Sequence, residues 1–121
     1  MKIKITIAVA SLLLLAGPMA LACDYPERPT IPDGSTATKD QMLAAKDAVT
    51  TYLAGVDDYL VCIENEEKDA IAGLSDPSQE ELKRRDELLN KKFDAANDEK
   101  ALIGEEFNTQ VRAYNAARAS Q

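Results

Sequence analysis

Two cysteines and an excess of carboxylates are what this chain offers to chemistry. Cys23 and Cys62 are the cysteines; 21 Asp and Glu face 14 Lys and Arg, and histidine is absent. Without histidine, the commonest general base and the commonest transition-metal ligand are missing. Carboxylates cluster at Asp57-Asp58, from Glu64 to Asp69, at Asp98-Glu99 and at Glu105-Glu106. A calcium site would need a loop of alternating oxygen ligands, and a glycosidase would need a carboxylate pair in a cleft. These clusters fall instead in stretches of helical pattern, where solvated faces explain them, with Glu64–Lys68 and Glu87–Lys91 as i,i+4 partners. Two lone cysteines do not make a zinc set, and no glycine-rich phosphate loop occurs. The sequence therefore predicts no catalytic residue, no metal and no cofactor. Tyr52, Tyr59 and Tyr114 fall on or beside an apolar stripe and are expected to pack in a core.

What the cysteines do depends on compartment. Lys2 and Lys4 precede an uncharged apolar run and the small-residue pattern Ala20-Leu21-Ala22, the layout of a secretory signal peptide over 1–22. The apolar run, about a dozen residues, is short of the ~20 needed to span a bilayer. Export to the periplasm or medium is expected. The remaining residues, 23–121, carry 12 basic and 21 acidic side chains, a net charge of −9. So acidic a chain is a poor partner for nucleic acid or anionic membranes. An even cysteine count in an oxidising compartment is read first as a disulfide. Ala20-Leu21-Ala22-Cys23 also loosely fits a lipobox, which would make Cys23 a lipid anchor and leave Cys62 an odd thiol.

Positioning falls to helices. Thr38 followed by Gln41 forms a capping-box pattern, and Met42, Ala45, Val49, Tyr52, Val56, Tyr59 and Ile63 follow at steps of three and four. The first helix should run over 39–73. Gly73 then suits a C-cap, Asp76 an N-cap and Pro77 the first position of a second helix over 77–118, with Gln79 completing a capping box. Its stripe is Leu82, Leu89, Phe93, Ala96, Ile103, Phe107, Tyr114 and Ala117. Helices of roughly 50 and 60 Å joined by so short a link must be antiparallel neighbours. The expected fold is all-α: a long αα-hairpin over 38–118, an arm over 23–37 and a tail over 119–121.

The arm carries Pro26, Pro29 and Pro32, whose three-residue spacing gives a polyproline II segment one face. It ends in Pro32-Asp33-Gly34, a turn signal. At 100° per residue, Cys62 lies about 120° from the first helix's seam, on a flank shared with Ala44, Ala48, Gly55 and the edge of Tyr59. Leu88, Ala95 and Leu102 form a secondary row on the second helix, on the side that meets this flank. The 14 residues back from Ala37 to Cys23 reach about 43 Å, and Thr38 to Cys62 spans about 36 Å. The arm is thus expected to turn at Asp33-Gly34, run antiparallel to the first helix in this groove and be locked by Cys23–Cys62, with Tyr25 across the groove near Tyr59 or Leu88. The same prolines could instead dock on a partner's aromatic groove.

The pattern Cys23-Asp-Tyr-Pro-Glu-Arg-Pro, Pro32-Asp-Gly, Tyr59-Leu-Val-Cys62 and Phe107-Asn-Thr-Gln-Val-Arg-Ala-Tyr114 resembles a group of small exported bacterial helical-hairpin proteins over essentially all of residues 23–121. The resemblance implies the pairing of Cys23 with Cys62 and no activity, cofactor or substrate. A structural or protein-binding role in the cell envelope is expected, with another envelope protein or a second copy of the chain as partner. An inhibitor or chaperone-like binder, and a lipoprotein anchored at Cys23, are the alternatives.

Overall fold

Thr38 opens the first helix in the expected manner: its hydroxyl accepts from the Gln41 N–H at 3.2 Å, and its own N–H donates to the Gln41 side chain at 2.8 Å. The computed structural model describes residues 22–121, so the leader expected over 1–22 lies outside the described residues apart from Ala22. Helix α1 spans Lys39–Ala72 and α2 spans Gln79–Ala119, packed together as a hairpin, and the described residues form no strand. None of their helices is long and apolar enough to cross a membrane.

The second helix starts two residues later than its sequence pattern predicts. Ser78, not Asp76, is the N-cap: its backbone is extended and its hydroxyl accepts from the Glu81 N–H at 3.1 Å. Proline restricts the residue before it, disfavouring the right-handed helical region there. Asp76 responds by taking φ 49°, a left-handed conformation that Asp tolerates better than most residues. Gly73 does cap α1, but with φ −83° it makes no use of glycine's freedom. Glu80 and Glu81 in the first turn of α2 complement the helix dipole.

Burial is uneven between the helices. Met42, Ala45, Val49, Tyr52, Val56, Leu60 and Ile63 are buried on α1, whereas α2 buries Ala96 and Ile103. Leu89, Phe93 and Phe107 are half-buried against that core. The asymmetry has a simple cause: α1 is covered on one flank by α2 and on another by the arm, while the outer side of α2 meets solvent. Polar bridges cross the hairpin from Lys100 to Asp57 and from Arg85 to Glu67. Lys68 pairs with Glu64 as expected, but Glu87 lies nearest Lys83, at 3.9 Å, rather than Lys91.

Candidate functional site

From Cys23 to Gly34 the arm descends the hairpin in antiparallel sense to α1. Cys23 is bonded to Cys62 with a Cα–Cα distance of 5.8 Å. Pro26 packs on Gly55, where an added Cβ would lie 3.1 Å from the proline Cβ. Cys23, Pro26, Pro29 and Pro32 are each half-buried while Asp24, Tyr25, Glu27, Arg28 and Thr30 between them are exposed. That three-residue alternation is what a polyproline II strand shows when one face lies on a surface. Ile31 adds an apolar contact to the core.

Side chains between the prolines reach around them. The Tyr25 ring meets Tyr59 edge-on at 4.9 Å and Tyr52 at 6.4 Å between centroids, geometries that aromatic quadrupoles favour. Arg28 spans to α2, with Nε 2.5 Å from Glu99 and Nη2 2.8 Å from Glu106. Hydrogen bonds to Glu99 and then Glu106 raise the Arg28 pKa further above its usual value. At the turn, the Asp33 carboxylate accepts from the Ser35 hydroxyl at 2.7 Å and the Ser35 N–H at 2.9 Å. These bonds hold its pKa below the ordinary value. The Gly34 N–H donates to the Gln110 side chain at 2.9 Å.

The α2 wall of this groove differs from the one its sequence pattern predicts. Ala95 is exposed, and Leu88 and Leu102 are 53 % and 56 % exposed, so this row does not bury the arm. Arm contacts fall instead on Glu99, Glu106 and Gln110, a row rotated about 40° from the first. An apolar wheel cannot find such a wall, because its residues are polar and the arm residue that meets them is a cation. The legible signal was Arg28, the one cation of the arm, opposite two glutamates seven apart. On α1, Ala48 is half-buried and Gly55 and Tyr59 line the arm.

Tyr52 is the titratable side chain most affected by this packing. Burial, then the hydrogen bond its hydroxyl donates to the Tyr25 hydroxyl at 3.4 Å, raises its pKa well above 10. The fold favours the neutral phenol, so the associated stability is complete below pH ~10 and is lost as pH climbs through the folded-state pKa. Melting temperatures taken between about pH 9 and 11.5 should fall more steeply for the native chain than for Tyr52→Phe; parallel curves would refute this coupling.

Among the described residues, one grouping of sulfur and carboxylate atoms has metal-binding spacing: Cys23, Cys62 and Glu66, within 4.8 Å of one another. Both sulfurs are consumed by the disulfide, which leaves no thiolate to coordinate an ion. The same bond and a lipid thioether at Cys23 exclude each other. No protein-family model, curated protein or solved structure matches the chain. What the molecule can do must therefore be sought on the surfaces left after the arm has docked. Two are apolar. One is the Leu88, Ala95, Leu102 row, repeated every seven residues along α2. The other is a groove at the open end of the hairpin, opposite the loop that joins α1 to α2.

Proposed function

We propose that this chain is an exported, non-catalytic module of the cell envelope that works by holding another helix against α2. The observation that carries this is the exposed row of Leu88, Ala95 and Leu102. Seven-residue spacing is the repeat by which one helix presents a seam to another. Charged residues flank the row, including Lys91, Lys92, Asp98 and Glu105, and charges beside an apolar contact steer which partner it accepts. The disulfide and the Arg28 bridges hold the hairpin in one shape, which lowers the ordering cost of binding. The absence of histidine, with both cysteines oxidised, is consistent with a role that needs no acid–base or nucleophilic chemistry.

A photo-crosslinking residue at position 95 of the exported chain tests this, with position 47 on the far part of α1 as control. An adduct at 95 and none at 47 is expected, and Leu88→Ser/Leu102→Ser should abolish it while leaving the melting temperature within a few degrees, since neither leucine is in the core. An adduct of twice the chain's mass identifies a second copy as the partner, and any other mass a different protein. Crosslinking at 47 with none at 95 would refute the assignment.

A further inference from the structure

The open-end groove has a different character from the α2 row. Met42 and Leu43 of α1 face Phe107, Val111 and Tyr114 of α2 across a hollow of about 590 Å³, within the ~300–1,000 Å³ typical of small-ligand sites. Leu43 is 50 % exposed, so half of its surface is left uncovered by the fold.

Three cations stand around that apolar floor: Lys39 and Lys46 from α1 and Arg118 from α2. No carboxylate lines the hollow among the described residues, in a chain whose formal charge is −7. Hollows elsewhere on the hairpin are mixed: Glu66 and Glu67 line one beside Leu88, and Glu105 and Glu106 line one beside Leu102. Lys39 and Lys46 make no ion pair among the described residues. Arg118 lies over the Tyr114 ring at 4.4 Å, a placement that keeps a guanidinium at the mouth of the apolar floor. Asn108 and Asn115 add amide groups without charge.

We propose that this groove binds a single-chain anionic amphiphile of the fatty-acid type, its hydrocarbon chain over Leu43, Phe107 and Val111 and its carboxylate among Lys39, Lys46 and Arg118. The apolar floor alone would accept any greasy chain, and the cations alone would attract any anion. Their combination selects molecules that carry both. Chain length should matter, because each buried methylene strengthens binding by up to roughly fourfold. The proposal does not rest on the partner assigned to the α2 row.

Titration of the ¹⁵N-labelled, disulfide-bonded chain with laurate below its micellar range, alongside calorimetry, tests it. Amide shifts are expected within 39–46 and 107–118, with octanoate at least tenfold weaker than laurate. Dodecyltrimethylammonium, with the same chain and the opposite charge, should also bind at least tenfold more weakly. Lys39→Gln/Lys46→Gln/Arg118→Gln should weaken laurate at least tenfold, and Leu43→Asp should do the same through the apolar floor while the spectrum stays folded. Equal binding of the cationic amphiphile, laurate shifts at Leu88 and Leu102 instead, or no laurate binding would overturn the proposal. So would saturation of the groove by an acidic apolar peptide in the absence of any response to laurate.

Discussion

Replacing Cys23 and Cys62 together by serine is expected to cost about 4 kcal/mol, the chain-entropy estimate for opening a loop of about 40 residues. Small domains have only ~5–15 kcal/mol in hand. At 4–8 °C per kcal/mol for a domain of this size, the melting temperature should fall by roughly 16–32 °C. The loss should be spread unevenly. The buried core centred on Val56 and Ile103 is built from α1 and α2, with the arm adding only Cys23 and Ile31 at its edge, so helical circular dichroism at low temperature should survive. The arm keeps Arg28 on Glu99 and Glu106, and those groups are solvent-exposed, where ion pairs are weak and screened by salt. Once the bond is gone, added salt should therefore release the arm, seen as deuterium uptake within residues 24–37 and as solvent exposure of Tyr52. A double serine variant that melts with the native chain would show that the bond closes a loop already closed by packing.

Gly34→Ala is the second large effect, and its cause is space rather than backbone angle, since no glycine of the described chain has positive φ. A Cβ built at Gly34 would lie 1.9 Å from the Gln110 carbonyl oxygen and 2.9 Å from the Tyr114 nitrogen. Both are backbone atoms of a helix and cannot step aside as a flexible side chain would. The turn must lift off α2, which breaks the Gly34 hydrogen bond to Gln110 and loosens Ile31 from the core. Overpacking of this kind costs about 1–3 kcal/mol and sometimes more; the upper end is expected here, with a fall in melting temperature of some 12–24 °C. Because the collision is with main chain, Gly34→Ala/Gln110→Ala should be no more stable than Gly34→Ala alone. Rescue by the second substitution would show that side-chain crowding, not the helix backbone, governs the position.

Those two positions also mark what sequence patterns can and cannot tell. The helices were legible because their signals agree: Thr38 and Gln41 at one end, an unbroken three-and-four spacing, and an interruption from Gly73 to Pro77. Direction and reach of the arm followed from lengths, because polyproline II and α-helix have fixed rises per residue and Cys62 fixes the far end. The α2 wall was not legible, because hydrophobicity ranked Leu88, Ala95 and Leu102 above Glu99, Glu106 and Gln110, whereas the contact is made by a guanidinium and by the backbone N–H of Gly34. Gly34 itself reads as an ordinary turn glycine; that it presses against a helix 76 residues away is a tertiary fact with no local signature. The start of α2 was misplaced for a related reason, since Asp76 and Ser78 are both good caps and the preference of the residue before Pro77 decides between them.

The covalent link between the arm and α1 also sets how the chain carries load. Tension applied at Cys23 passes through the disulfide into Cys62, two-thirds of the way along α1, and bypasses the 38 residues between. Pulled between Cys23 and Gln121, the oxidised chain should extend from 63 onward while 24–61 remain a slack closed ring. About 130 Å of contour would stay latched until the bond is reduced, at roughly 3.4 Å per residue. The hairpin is in this sense a fastener with a hidden length, whose extension under force is set by redox state.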